Sequence, residues 1–402
     1  MARGLAKRLD DVRPSATMAV TARAARLRAG GVDVIGLAAG EPDFDTPEHI
    51  KQAAKQALDR GATKYTAVEG TAELRRAVAA WFAKAHGFEV SSDQVMVSAG
   101  AKQVVYNAFH ALLGSGDQVV LPAPCWVSYA EIAKLAGAQP VPVLARAQDG
   151  FMVDADAVAR AITPATRMIV LCSPSNPTGA VYNEATLRAI ADLAVQHDLW
   201  LLSDDIYRCL CYDGARFVEP ATFGPEVRKR TIVVDGVSKA YAMTGWRIGF
   251  ALAPSEVIAA MAILQGQSTT NAAAVSQAAA LAAITGPDDE IDRMRSQFDG
   301  RRRSIMAALR AIPDLTCVEP QGAFYAFPDV SRFLGRKAPG GRIIEDDLAL
   351  CDYLLDEARV AVVPGSAFCA PGFIRLSYAT SQANIDKALA RMAAALGRLT
   401  RA

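Results

Sequence analysis

TIVVDGVSKAYAMTGWRIGFALA, residues 231–253, is the stretch whose reading decides the fold. It divides into strand, short loop and strand. Residues 231–235 and 247–253 are β-rich and apolar, and Gly236, Ser238, Lys239 and Gly245 lie between them. A lysine just past the end of a buried strand opens onto a crevice rather than an outer face. There its amine is partly desolvated, which lowers its pKa and makes it a usable nucleophile toward a carbonyl. Arg247 follows on the same stretch and offers a planar fork suited to a phosphate. Read alone, Lys239 would be a solvated loop lysine and Arg247 a cation at a strand edge. The surrounding string argues against both.

Upstream, from Gln94, strands and helices alternate, the sign of a mostly parallel sheet. QVMVSAG (94–100), VVLPAPCWVSY (119–129), RMIVLCSPSNPTGAVY (167–182) and WLLSDDIYRCL (200–210) each contain a strand. Their ends carry Gly100, Trp126, Asn176 and Asp204, and with Lys239 they converge on the carboxyl edge, where open α/β sheets bind ligands. Ala99-Gly100-Ala101, just before a helix, is a phosphate cradle by geometry, although many α/β turns look alike. Lys102 follows in a first turn, where a cation is mildly unfavourable, so a functional reason for it is fair. Trp126 is either core or a stacking platform for a flat heteroaromatic ring.

Five strings resemble the class I aminotransferases, the fold-type I family that uses pyridoxal 5′-phosphate (PLP). They are AAGEPDFDTPEHI (38–50), SPSNPTG (173–179), SDDIY (203–207), SKAYAMTGWRIGF (238–250) and IRLSYATS (374–381). They occur in the family's order across about residues 3–391, and the pattern is most similar to the bacterial aspartate and prephenate aminotransferases. The resemblance implies that Lys239 holds PLP covalently and, once freed, moves the substrate proton as general base and acid. It implies that Asp204 pairs with the ring nitrogen, a fitting partner for a buried carboxylate that would otherwise be costly. Asp205 is expected to be a solvated neighbour. By the same resemblance Arg247 anchors the phosphate with Gly100, Ala101, Lys102 and Ser238, Trp126 stacks, and Asn176 and Tyr207 bond the ring oxygen. The Asn176–Pro177 bond is expected to be cis. Arg375 and Gly40 would fix the substrate α-carboxylate, and Tyr65 would reach the phosphate of a second subunit in a homodimer with shared sites. Residues 268–271 are expected to face that partner too. Lys102, with Arg13 and the Ser15/Thr17 pair, looks like a set for acidic substrates.

The implied architecture is a large α/β domain over 47–290 and a smaller α+β domain from residues 1–46 and 291–402. At the sequence level, a helix is expected over roughly 71–86, and another opens at Thr46-Pro47-Glu48 with Thr46 as cap. A long charged helix after Pro287 leads into the smaller domain. Residues 331–345, SRFLGRKAPGGRIIE, depart from the short connection expected there and read as a polar loop near the site's mouth.

Composition sets outer bounds. The chain has 402 residues, long enough for two domains, and its 43 basic against 42 acidic side chains give no basic stripe for nucleic acid. Seven cysteines, an odd number without CxxC or Cys/His spacing, argue against a disulfide framework or structural metal. Cys209 and Cys211 would share one face of a strand, as ordinary packing. No histidine (49, 86, 110, 197) falls in a matched motif, and all four are taken as structural. The basic N-terminus lacks an apolar core, and Asp10 and Asp11 count against a transit peptide, so a cytoplasmic protein is expected. The function expected is transfer of the amino group of L-aspartate to 2-oxoglutarate, with prephenate amination as the near alternative. A PLP C–S lyase would share Lys239 and Asp204 without needing Lys102. A PLP-sensing regulator would need an added DNA-binding domain, and a nicotinamide dehydrogenase a GxGxxG after its first strand.

Overall fold

The computed structural model describes residue 4 and residues 6–401. A seven-stranded sheet runs through the middle of the chain. Its spatial order is Val95–Ser98, Gly249–Leu252, Thr231–Gly236, Trp200–Asp204, Thr166–Cys172, Gln118–Ala123 and Gln139–Leu144. Every pairing is parallel except the two made by Gly249–Leu252, which runs against both neighbours. The central strands are buried along nearly their whole length, as parallel strands covered on both faces must be. Val, Ile and Leu dominate them because a branched side chain packs well on a pleated, doubly covered surface.

The reversal at Gly249–Leu252 is what places the decisive stretch. Thr231–Gly236 delivers the chain to the carboxyl edge, residues 237–246 turn there, and Gly249–Leu252 returns antiparallel, with Gly236 opposite Gly249. Gly249 is required by a close approach: a Cβ there would stand 2.2 Å from the backbone nitrogen of Ala101. The start of the Ala101–Leu112 helix is thus pressed directly onto the returning strand. Gly249→Ala is expected to lower the unfolding free energy by about 2–4 kcal/mol, because the clash is with backbone that cannot rotate away. Urea denaturation of the purified variant measures it.

Smaller sheets form from the chain ends. Ile35–Gly36 pairs in parallel with Val360–Ala361, and Ile374–Ser377 lies between Tyr325–Ala326 and Val363–Pro364, antiparallel to both. The helices Asp289–Arg310 and Gln382–Leu396 share with these strands a core that contains Phe298, Phe324 and Leu376. Arg302 is buried within the long helix and is satisfied by Asp213, Asp299 and Glu319.

Several local expectations need correction. The helix expected over roughly 71–86 is Ala72–His86, capped by Thr71, but the one near residue 47 begins at Glu48 without a side-chain cap. The Thr46 hydroxyl instead donates to the Ala242 carbonyl and accepts from the Trp246 indole, pinning the loop around Lys239. The strand bearing Asp204 ends there, so Cys209 lies in the turn beyond it and Cys211 in an isolated bridge to Gly322, rather than both on one strand face. Residues 331–345 do not reach the crevice. Lys337 pairs with Thr400, and Ala338 and Ile344 are buried in the core that includes Leu399, so this segment closes over the C-terminus. Among the described residues no helix is long and apolar enough to cross a membrane.

Candidate active site

A cavity of about 350 Å³ opens at the carboxyl edge of the large sheet, between it and the strands from the chain ends. Gly40, Ala101, Lys102, Trp126, Asn176, Asp204, Tyr207, Ser238, Lys239, Arg247 and Arg375 all line it, and so do Ser15 and Thr17. Residues from eight separate stretches, up to 360 positions apart in sequence, are therefore gathered in one place. Gly100 sits at its rim with φ 90°, and a Cβ there would lie 2.4 Å from an Arg247 guanidinium nitrogen. Two expected members lie elsewhere. Arg13 is exposed and outside the lining, its backbone N–H bonded to Glu131, and Tyr65 is 88% exposed and lines a different depression.

Lys239 reaches across the crevice, and its ammonium donates to the Gly40 carbonyl at 2.6 Å. Desolvation pushes its pKa down to about 8; Glu41 opposes the shift, and Arg247 and Arg375 add to it. A primary amine tuned this way is available as a free base near neutral pH, the state needed for attack on a carbonyl. Asp204, 5% exposed at the end of its strand, accepts from the Tyr129 hydroxyl and from the Ile206 N–H. Burial nevertheless pushes its carboxyl up to about 6, with the Tyr129 hydrogen bond working in the other direction.

Arg247 has a left-handed backbone (φ 56°) and turns its guanidinium back over the loop, donating to the carbonyls of Thr244 and Ala99. That places the fork beside the N-terminus of the Ala101–Leu112 helix, whose free N–H groups favour an anion. Arg375 is buried on the middle strand of its sheet. It donates to Asn176 Oδ1 at 2.9 Å and to the Ala38 carbonyl at 2.6 Å, which leaves its Nε buried without a partner. Asn176 is thus held by Arg375, on a turn closed by the Gly179 N–H to the Ser175 carbonyl. The cis peptides of this region are Ala123–Pro124 and Ser173–Pro174, so the Asn176–Pro177 bond is trans, contrary to expectation.

Two tyrosines were not found from the sequence. Tyr129 lies in a helix where its ring reads as core, and it supplies the hydroxyl on Asp204. Tyr325, from a distant strand, shares a hydrogen bond with the Tyr207 hydroxyl at 2.7 Å, and its ring underlies Arg375 with 4.5 Å from guanidinium carbon to centroid. It also limits Gly40, where a Cβ would meet the Tyr325 hydroxyl at 3.0 Å. Asp205 also departs from expectation. It is fully buried, not solvated, because the segment leading to Glu219 folds over it.

The family described as aminotransferase class I and II matches residues 32–392. The chain belongs to this aminotransferase family. Among its relatives is an aspartate aminotransferase of Rhizobium meliloti, 47% identical over 98% of this chain and 97% of that protein. An aspartate/prephenate aminotransferase of Cereibacter sphaeroides is 46% identical over 97% and 98% of the two chains. The crystal structure of the Rhizobium meliloti aspartate aminotransferase superposes with a TM-score of 0.95, covering 99% of this chain and all of that one at 46% identity. The Thermus thermophilus aspartate aminotransferase with maleate gives 0.91 at 44% identity, over 98% and 100%. Aminotransferases of this family are PLP-dependent, and the residues present fit that cofactor. Asp204 is a buried carboxylate whose only donors are one hydroxyl and one N–H, the Arg247 fork stands at a helix N-terminus with Gly100 leaving room, and Trp126 offers a flat face.

Proposed function

We propose that this aminotransferase takes its amino group from L-aspartate and passes it to 2-oxoglutarate, with prephenate as an alternative acceptor. The observation that carries the substrate class is a second cation in the pocket. Arg375 is a carboxylate clamp with one unpartnered nitrogen, and Lys102 stands in the same cavity with its ammonium 4.9 Å from the Trp126 ring centroid. A monocarboxylic substrate needs one cation, whereas a dicarboxylic one finds a partner for each end. The maleate of the Thermus thermophilus relative is also a dicarboxylate, and the Cereibacter sphaeroides relative is an aspartate/prephenate aminotransferase, which supports prephenate as the alternative acceptor.

In this reading Lys239, Asp204, Arg247, Trp126, Tyr207 and Asn176 hold PLP, with Ser238, Gly100 and Ala101 around its phosphate. When bound, PLP supplies an electron sink for the charge left at the substrate Cα. Arg375 and the Gly40 backbone fix the α-carboxylate and so set the direction of the Cα–H bond. The Lys239 amine, lowered toward neutral pH, takes that proton and returns it. Asp204 would favour a proton on the ring nitrogen, and Tyr207, bonded to Tyr325, would offer its hydroxyl to the ring oxygen. The division into a larger unit over 47–290 and a smaller one from both termini belongs to the same reading, as do a cytoplasmic location and a homodimer. Tyr65 and residues 268–271, which lie outside the cavity, would complete a partner's site.

Lys102→Ala tests the substrate class. It is expected to raise KM for L-aspartate about 10–50-fold while kcat/KM for a neutral amino donor stays within about threefold. Steady-state kinetics with both donors decides it, and an equal loss for both would sink the dicarboxylate reading.

A further inference from the structure

Away from the pocket, His86, Asp205 and Glu219 come together, with one ligand atom from each within 4.8 Å of the others. None of the three lines the active-site cavity. They arrive from separate elements: His86 closes the helix Ala72–His86, Asp205 follows the strand Trp200–Asp204, and Glu219 precedes the short turn Pro220–Phe223. Asp205 and Glu219 are 0% and 2% exposed.

Each side chain leaves one buried atom without a hydrogen-bond partner: His86 Nε2, Asp205 Oδ2 and Glu219 Oε2. Their other carboxylate oxygens are already tied down, Asp205 Oδ1 by the Ser203 hydroxyl at 2.7 Å and Glu219 Oε1 by the Ala221 N–H at 2.9 Å. The imidazole is held by stacking on Phe82 and Phe88 and by the edge of Phe217. Outer donors that orient the ligands and leave one lone pair free on each are the usual surroundings of a bound metal.

The nearby cation does not fill the gap. Arg208 donates to Asp235 at 2.6 Å and lies over the Trp81 ring, while the second Asp235 oxygen accepts from Gly236. With no cation between them, burial, and for Asp205 also repulsion from Glu219, pushes the Asp205 and Glu219 carboxyls upward, so a cation or a shared proton must offset their approach.

We propose that His86, Asp205 and Glu219 form a structural site for a divalent first-row cation of the Zn²⁺ type, completed by water. The imidazole selects such an ion over Mg²⁺ or Ca²⁺, which prefer all-oxygen shells. The ion ties the end of the Ala72–His86 helix and the 213–219 segment to the strand that carries Asp204. Its neighbour's backbone thereby gains a fixed anchor.

The test uses the cofactor-loaded enzyme, stripped with EDTA, dialysed and titrated with ZnCl₂ by calorimetry. Bound metal is counted by mass spectrometry. One Zn²⁺ per chain is expected, with a higher Tm, and Glu219→Gln and His86→Asn should each weaken binding at least tenfold while transamination continues. Should the variants fold poorly, wild-type crystals soaked in ZnCl₂ are expected to show an anomalous peak between the three side chains. No stoichiometric binding, a peak elsewhere, or binding indifferent to both variants overturns the site. A Glu219→Gln protein that is more stable than wild type and neither protein responding to Zn²⁺ also overturns it, since a proton shared by Asp205 and Glu219 then fills the gap.

Discussion

Lys239→Ala is expected to abolish transamination and to remove the visible absorption of the protein incubated with PLP. The size follows from two separate losses. The amine is the cavity's primary amine lowered toward neutrality, to about 8, and it reaches across the crevice to the Gly40 carbonyl. On the proposed assignment, alanine would remove both the covalent tether and the base that moves the Cα proton. A fall in kcat of at least about 10⁵-fold is expected, equivalent to about 7 kcal/mol of barrier. The variant should remain folded, because Lys239 is in a loop pinned independently by Thr46. Its one hydrogen bond, to a carbonyl at the pocket wall, is replaceable by water. Single-turnover assays with L-aspartate measure the loss, and retained turnover would contradict the assigned chemistry.

Asp204→Ala is expected to keep PLP bound through Lys239 and Arg247 while kcat drops roughly 10³-fold, about 4 kcal/mol. The charge left at Cα has nowhere to go when the ring nitrogen is not held protonated. The same carboxyl makes an independent prediction for the cofactor-free protein. Burial raises it from 3.8 to about 6, so the native state holds more protons than the unfolded chain between those values. Stability therefore falls as pH rises through that window, and the full penalty is present above it. Asp204→Asn keeps the shape and an acceptor for Tyr129 but cannot ionise. It should raise the unfolding free energy of the cofactor-free protein at about pH 7.5 by about 2–3 kcal/mol and flatten the pH dependence below that. Denaturant curves at several pH values check it. The carboxylate would then be destabilising in the empty protein and indispensable in the loaded one.

Much of this site is legible in the sequence because strand ends are legible. Asp204, Asn176, Trp126, Gly100 and Lys239 each follow an apolar run, and a parallel sheet necessarily brings those ends to one edge. Arg247 is legible for the same reason, although it lies in the loop just ahead of the returning strand rather than at its start. What escapes is set by contacts between distant segments. Tyr129 looks like any core aromatic on a helix until Asp204 is seen facing it, and Tyr325 meets Tyr207 across 118 residues. Polarity next to a strand end suggests solvent, which is why Asp205 reads as exposed; only the later segment around Glu219 makes it buried. Residues 331–345 mislead in the opposite way, since a polar, glycine-rich stretch conceals Ala338 and Ile344, which anchor it to the C-terminal core.

The measurement that bears most directly on the central claim is the absorption spectrum of the purified, PLP-loaded protein before and after L-aspartate alone. With no keto acid present, the reaction can run only its first half. The visible band of the lysine-bound cofactor should fall and an ultraviolet band of the aminated cofactor should rise, stoichiometric with active sites. A visible band that persists at saturating L-aspartate would contradict the assignment of Arg375 and Lys102 to a dicarboxylic donor. Absence of any visible band after incubation with PLP would contradict the assignment of Lys239 itself.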